Sequence, residues 1–110
     1  MNTTITVQDL TRHMLLELKL PTHLWGYKIL CAAIPSYARN NTQSITKELY
    51  PHLAKQFGLP HPKAAEHSIR YTISEAWNRR DPDVWDQYFP GSKKAPSNLV
   101  FIAALAEYLK

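Results

Sequence analysis

The sequence predicts an all-α fold, a compact bundle of about six helices that contains a helix-turn-helix. Apolar residues recur mainly at helical spacing, and no stretch alternates apolar and polar residues convincingly over the length of a strand. Only 3 of the 110 residues are glycine, and 45% are hydrophobic, which is enough to fill one compact core. The length, with no internal repeat and no linker, predicts a single domain over residues 1–110.

Composition narrows the class of protein further. Thirteen Lys and Arg against nine Asp and Glu give a formal charge of +4, which permits a nucleic-acid partner without requiring one. Cys31 is the only cysteine, so an intramolecular disulfide is excluded. The first ten residues, MNTTITVQDL, lack the basic and apolar parts of a signal peptide, and the longest apolar run is far below the ~18 residues of a membrane span. We therefore expect a cytosolic protein that does not bind membranes.

The first helix is predicted over residues 7–19. Thr6 and Asp9 have the spacing of a capping box, in which each side chain accepts a hydrogen bond from the other's backbone. The predicted buried face is Val7, Leu10, Met14 and Leu18.

A second helix is predicted over residues 23–38, after Pro21 ends the first and Thr22 provides an N-cap. Its predicted buried stripe is Gly26, Ile29, Leu30, Ala33 and Tyr37. Pro35 lies inside this pattern and predicts a kink or an end to the regular hydrogen bonding, because it has no N–H to donate.

A polar loop, RNNTQS, separates this helix from the stretch SITKELYPHLAKQFG. The apolar residues of that stretch recur every four positions, at Ile45, Leu49, Leu53 and Phe57. Pro51 interrupts it and predicts either a kink or a new helix with the proline in its first turn. Gly58 is placed to end that helix as a C′ glycine.

The longest helix is predicted within residues 61–80, HPKAAEHSIRYTISEAWNRR, with Pro62 at its first position. Its apolar face is Ala65, Ile69, Thr72, Ile73 and Ala76. The opposite face, here called the donor face, is Lys63, His67, Arg70, Tyr71, Ser74 and Asn78. Every side chain of the donor face can donate a hydrogen bond, and its only charges are positive. That composition suits a nucleic acid, although an ordinary solvated surface is the alternative.

Two shorter elements complete the bundle. Asp81 followed by Pro82 predicts a short helix through Tyr88 or Phe89. After the loop PGSKKAPSN, Ser97 is expected to cap the last helix. The residues predicted to pack inward from that helix are Leu99, Ile102, Leu105, Ala106 and Leu109.

Residues 51–80 therefore form a predicted helix-turn-helix. The small Ala54 lies four residues before Gly58, a spacing that allows two helices to cross closely. In such motifs the second helix lies in the major groove, where its first turns face base edges and neighbouring donors contact phosphates. The same geometry also occurs in proteins that never bind DNA.

Four stretches resemble the C-terminal effector domain of the master response regulator of endospore formation, the stage 0 sporulation protein A family. They are GYKILCAAI, SITKELYPHLAKQFG, SIRYTISEAWNR and APSNLVFIAALAEYL, and the similarity covers roughly residues 20–110. The resemblance implies a six-helix DNA-binding fold that binds short promoter boxes of the TGTCGAA type, often as tandem copies. It also implies a cytoplasmic, nucleoid-associated protein of a bacterium. In the family a phosphorylated receiver domain controls dimerisation, and we expect no receiver domain in this chain.

The resemblance also implies residue roles. The family's recognition helix usually presents an arginine, a glutamate, a second arginine and later an arginine–histidine pair. Glu66 matches the glutamate and Arg70 the arginine of that pair. His67 stands where the second arginine is usual, and Tyr71 where histidine is usual. The predicted base contacts are Glu66, His67 and, for the first arginine, Lys63 or Ala64.

Contacts to the DNA backbone are expected from cations and donors around that helix. They are Lys47, Lys55, Arg70, Tyr71, Ser74, Lys93 and Lys94. Four aromatic residues predict either a contact between protomers on tandem boxes or part of the core: Trp85, Tyr88, Phe89 and Phe101.

The predicted function is thus sequence-specific transcriptional regulation of the sporulation-initiation type. The expected partners are double-stranded DNA, a second copy of the chain on DNA, and RNA polymerase. No histidine pair has metal spacing with a cysteine or carboxylate, and no catalytic constellation appears, so we expect no metal, no cofactor and no enzyme. The alternative function is that of a receiver-less paralogue, which acts by contact with a full-length regulator.

Overall fold

The structure is a computed structural model that describes residues 4–110. Over that range the chain is helical and has no strand, which confirms the all-α prediction. The six α-helices are α1 (Val7–Glu17), α2 (Trp25–Arg39), α3 (Tyr50–Gln56), α4 (Pro62–Asn78), α5 (Pro82–Tyr88) and α6 (Asn98–Glu107). A π-helical turn, Ile45–Leu49, leads directly into α3. None of the described helices is long and apolar enough to cross a bilayer.

The capping box of α1 is confirmed. The Asp9 N–H donates to the Thr6 hydroxyl oxygen at 3.0 Å, and the Thr6 N–H donates to the Asp9 carboxylate at 3.2 Å. These bonds satisfy two of the N–H groups that a helix start leaves unpaired, and they lower the pKa of the Asp9 carboxyl. The helix ends at Glu17, two residues before the predicted end.

The predicted buried face of α1 was half wrong. Met14 and Leu18 are buried, but Val7 and Leu10 are exposed. Thr11 is buried instead of Leu10, because its hydroxyl donates to the Val7 carbonyl at 2.8 Å and so enters the core without an unpaired polar group.

Helix α2 occupies the centre of the bundle and packs against α1, α4 and α6. It begins at Trp25, with Leu24 rather than Thr22 at the N-cap. Of the predicted buried stripe Gly26, Ile29, Leu30, Ala33 and Tyr37, all are buried except Tyr37, which is half-buried. Pro35 does not end the helix, which continues to Arg39 with the proline ring buried. Burial of the ring is favourable and acts against the cost of the missing backbone hydrogen bond.

The stretch around Pro51 takes the second of the two predicted forms, a new helix with the proline in its first turn. Ser44 begins the π-helical turn, and the Leu49 N–H reaches back five residues to the Ser44 carbonyl at 3.0 Å. Helix α3 then starts with Pro51 in its first turn, directly after the π-helical turn.

The caps of the last two helices are also confirmed, but the rotation of α6 is not. Asp81 accepts from the Asp83 N–H at 3.0 Å, and Ser97 accepts from the Val100 N–H at 3.2 Å. Ile102, Leu105 and Ala106 are buried as predicted, whereas Leu109 is half-buried and Leu99 is 50% exposed. Phe101 takes the inward position.

Three of the four aromatic residues considered for a protomer contact belong to the core. Trp85, Phe89 and Phe101 are buried, and the ring centroids of Phe89 and Phe101 lie 5.5 Å apart. The Trp85 indole N–H donates to the Leu18 carbonyl at 3.2 Å. These three side chains are therefore not available to a second protomer. Tyr88 alone is half-exposed.

Candidate nucleic-acid interface

A tight turn fixes α3 against α4. Gly58 adopts a φ of +65°, a conformation that favours glycine. The Leu59 N–H donates to the Ala54 carbonyl at 2.8 Å and the Gly58 N–H to the Lys55 carbonyl at 3.4 Å, which is the Schellman pattern. Pro62 then occupies the first turn of α4. The C′ glycine and the N-terminal proline are both confirmed, and the start of α4 is left exposed.

The two faces of α4 are divided as the sequence predicts. The buried residues of this helix are Ala65, Ile69, Thr72, Ile73 and Ala76. The exposed residues include the whole donor face, Lys63, His67, Arg70, Tyr71, Ser74 and Asn78. Because the exposed start of the helix and the donor face are continuous, one side of the molecule presents hydrogen-bond donors along the full length of α4.

Helix α2 supports α4 at very short range. Gly26 lies directly against the third turn of α4, and a Cβ atom added there would overlap the Ser68 carbonyl oxygen and the Thr72 hydroxyl. That hydroxyl is held in place because it donates to the Ser68 carbonyl at 2.8 Å. The Gly26 backbone therefore lies directly against the Ser68 carbonyl and the Thr72 side chain, which fixes the position of α4.

A second support was missed by the sequence reasoning. The buried side-chain amide of Asn98 donates to the Tyr50 hydroxyl and to the Glu66 main-chain carbonyl, both at 3.0 Å. It thereby joins the start of α6 to α3 and α4, and burial raises the pKa of the Tyr50 phenol. The one available signal was an asparagine directly after a capping serine, where helix-forming residues are commoner.

Two exposed side chains of α4 are paired along the helix. An Arg70 guanidinium nitrogen lies 2.7 Å from a Glu66 carboxylate oxygen, one turn earlier. The Tyr71 hydroxyl donates to the Glu75 carboxylate at 2.9 Å, and that hydrogen bond raises the pKa of the Tyr71 phenol. Both pairs hold long side chains in defined directions on the donor face.

Each side of the donor face borders a different element. One border, here called the α6 flank, is a groove of about 740 Å³ between α4, the start of the π-helical turn and the segment ahead of α6. Glu66, Arg70 and Ser74 line it from α4. Facing them are residues 44–46 and 95–99, which include the capping serines of two helical elements.

The other border, here called the α2 flank, lies between α4 and the start of α2. Two shallow depressions form it, lined from α4 by Ser68, Tyr71 and Glu75 and from the chain ahead of and within α2 by residues 23–26. Glu66 and Ser68 are about 200° apart around a helix, so the two flanks lie on opposite sides of α4.

The predicted site residues fall around this surface. Lys63, Ala64, Glu66 and His67 occupy the first two turns of α4, where Lys63 and His67 are exposed and the other two half-buried. The four lysines predicted to contact the DNA backbone are exposed: Lys47, Lys55, Lys93 and Lys94. Lys55 lies in the last turn of α3 and lines neither flank. Lys47 directly follows the groove residues of the π-helical turn, and Lys93 and Lys94 directly precede Ala95 in the α6 flank. Within residues 4–110 no three His, Cys, Asp or Glu side chains cluster as metal ligands.

The family model described as sporulation initiation factor Spo0A, C terminal, matches residues 11–109. The match spans nearly the whole chain and confirms the resemblance seen in the sequence. It identifies a family of DNA-binding regulatory domains rather than enzymes.

Proposed function

This chain belongs to the family of the C-terminal domain of sporulation initiation factor Spo0A, and we propose that it regulates transcription by binding specific promoter DNA with α4 in the major groove. Members of this family are DNA-binding effector domains of sporulation control. The observation that carries the finer proposal is the donor face, whose six residues are all exposed on the helix that follows the Schellman turn. Nucleic acids present acceptors on both phosphates and base edges, which this face complements.

The first two turns of α4 read the bases in this proposal. The Lys63 ammonium suits the two acceptors of guanine, and the Glu66 carboxylate suits the amino group of cytosine. The Ala64 methyl group suits the methyl group of thymine, while His67 donates to an acceptor on a base edge. These four residues therefore set the sequence preference.

The Glu66–Arg70 pair contributes in a second way. Because the carboxylate holds the guanidinium on the side of the α6 flank, Arg70 is oriented before DNA arrives. A guanidinium suits phosphate oxygens, and an oriented one loses less side-chain entropy on binding. Ser74 extends this row on the α6 flank, and Tyr71 contacts the DNA backbone from the side of the α2 flank. The exposed lysines Lys47, Lys55, Lys93 and Lys94 add positive charge.

The preferred box is expected to differ from that of the family. His67 and Tyr71 replace residues that are usually arginine and histidine, and neither substitute reproduces the two-pronged contact of arginine with guanine. Each mismatched base pair typically costs about 1–3 kcal/mol of binding free energy. We also propose that neighbouring copies form a homodimer on tandem boxes. This takes place in the bacterial cytoplasm, and the DNA-bound protein contacts RNA polymerase there.

Fluorescence anisotropy tests the proposal. The protein is titrated into labelled duplexes that carry the TGTCGAA box, a scrambled box, or the best sequence selected from a random library, at two salt concentrations. We expect a clear preference for the selected sequence, and a steep fall of affinity with salt because several phosphates are neutralised. Lys63→Ala and Arg70→Ala should weaken binding, whereas Lys110→Ala, the same charge change at the chain end, should not.

The contrary result would be equal affinity for all duplexes and for these variants. Leu99 and Val100, which are 50% and 51% exposed at the start of α6, would then be the surface to test for contact with a full-length regulator, by size-exclusion chromatography of a mixture.

A further inference from the structure

We propose that the start of α2, through Trp25 and Lys28, contacts the sugar–phosphate backbone on the second wall of the groove that holds α4. This inference rests on the proposed function, which places α4 in the major groove. It adds a DNA contact on the α2 flank, whereas the backbone contacts of Arg70, Lys93 and Lys94 belong to the α6 flank. The protein would thus hold both strands, one on each side of α4.

The dimensions of helix and groove support the inference. An α-helix with its side chains is about 10–12 Å across. The major groove of B-DNA is about 12 Å wide. A helix in that groove therefore has a phosphate backbone on each side, and elements that border the helix closely are brought against those backbones. Gly26 keeps the start of α2 in backbone contact with α4, so this element lies as close to the helix as the chain allows.

The side chains at this place are suited to a sugar–phosphate backbone. Trp25 is 57% exposed and Tyr71 is 56% exposed, and they border the same depression beside Ser68. The Lys28 ammonium lies 5.1 Å from the centroid of the Trp25 ring, a cation–π contact that keeps the charge at this edge. A tryptophan offers an apolar ring to a sugar and an N–H to a phosphate oxygen, and the lysine supplies the charge.

Other groups around the depression are compatible with an anionic partner. His23 and Arg79 line its continuation, and both can donate hydrogen bonds. The one carboxylate in that lining, Glu75, accepts the hydrogen bond of the Tyr71 hydroxyl. That neutral donor does not cancel the carboxylate's charge, but the Arg79 guanidinium supplies a positive charge in the same lining. A single exposed tryptophan needs no explanation by itself. An exposed tryptophan under a lysine and beside the donor face is better explained by a partner that is polar, anionic and adjacent to α4.

The test compares Lys28→Ala with Lys110→Ala, which remove the same charge from two places. On the selected duplex we expect Lys28→Ala to weaken binding about fivefold at ~0.1 M salt and to reduce the log–log salt slope by about 0.9, the loss of one phosphate contact. Lys110→Ala should change neither. Trp25→Ala should weaken binding about two- to tenfold, and Tyr108→Ala, at another exposed aromatic residue, should not.

Hydroxyl-radical footprinting locates the contact. Wild-type protein should protect sugars on both strands, and Lys28→Ala should lose protection on one strand only. The inference is overturned if Lys28→Ala matches Lys110→Ala in affinity, slope and footprint while Lys63→Ala and Arg70→Ala still weaken binding. If the wild-type protein shows no sequence preference and no footprint, the proposed function itself fails, so the two failures are distinguishable.

Discussion

Helices α4 and α6 both pack against α2, but they do so by different means. At the start of α2 the contact with α4 is made by backbone, because Gly26 has no side chain to separate it from the Ser68 carbonyl. Helix α6 instead fills space with large buried side chains, Phe101 and Ile102 among them. Atoms added at Gly26 should therefore destabilise the contact with α4. Atoms removed from the buried side chains of α6 should destabilise the contact with that helix.

The largest effect is expected from removing atoms at α6. Ile102→Ala should lower the free energy of unfolding by about 2–5 kcal/mol, because it leaves a cavity in a closely packed core. Leu99→Ala, in the same helix but half exposed, should change it by less than about 0.5 kcal/mol. Urea denaturation followed by circular dichroism measures both, and similar losses for the two variants would contradict the packing described for α6.

Adding atoms at the α4 contact is expected to have the next largest effect. Gly26→Ala should cost about 3 kcal/mol, since the new methyl group meets a main-chain carbonyl that cannot move without displacing α4. Gly91→Ala provides the contrast: its φ is +74°, but open space surrounds it, so its cost of about 1 kcal/mol comes from backbone strain alone. An unfolding free energy of Gly26→Ala equal to that of the wild type would show that the two helices can separate at little cost.

A smaller effect is expected at Asn98, whose side chain joins the start of α6 to α4. Asn98→Ala removes both hydrogen bonds of the amide and leaves the Glu66 carbonyl without that donor, a loss of about 2 kcal/mol. Ser97→Ala, which removes only the neighbouring cap, should cost about 1 kcal/mol. Thermal denaturation measures the loss of stability in both variants. A larger loss for Ser97→Ala than for Asn98→Ala would show that the cap stabilises the start of α6 more than Asn98 does.

The smallest effect concerns the far end of α6, where the Tyr108 ring lies 5.2 Å from that of Tyr88. Burial, with the hydrogen bond that Tyr88 donates to the Glu17 carboxylate at 2.6 Å, raises the pKa of the Tyr88 phenol well above its usual value. The neutral phenol is thus favoured in the folded state. Its contribution is fully present below about pH 10 and is lost as the pH rises above that value.

Tyr88→Phe should therefore make the alkaline decline of stability shallower, while costing about 0.5–1 kcal/mol at neutral pH through the lost hydrogen bond. Unfolding free energies at about pH 8 and about pH 11 measure the difference, with Tyr37→Phe as a control that removes a hydroxyl elsewhere. If stability declines as steeply at alkaline pH in Tyr88→Phe as in the wild type, groups other than Tyr88 cause that decline.

These contrasts also explain which features could be predicted from the sequence. The rotation of α4 was predictable residue by residue, because polar side chains such as Arg70 and Ser74 mark the face that water or a ligand must reach. The caps at Thr6, Asp81 and Ser97 were predictable because capping depends on local spacing.

The rotation of α6 was not predictable, since Leu99, Val100 and Phe101 are all apolar and only tertiary packing decides which of them is buried. The role of Asn98 depends on Tyr50 and on the Glu66 carbonyl, which are distant in sequence. Likewise, Thr11 displaced Leu10 from the core through a hydrogen bond that hydrophobic spacing does not describe.

The hydrogen bonds of Asn98 also bear on how the protein would distinguish DNA sequences. They tie the start of α6 to the carbonyl of Glu66, the residue whose side chain is proposed to face a base. The distance between α4 and the start of α6 is therefore set by the protein and does not adapt to the duplex. A duplex that meets both must supply the curvature and groove width itself, and this deformation costs more for stiff sequences than for flexible ones. Under the proposed function, base pairs that no side chain touches would thereby become part of the recognition sequence.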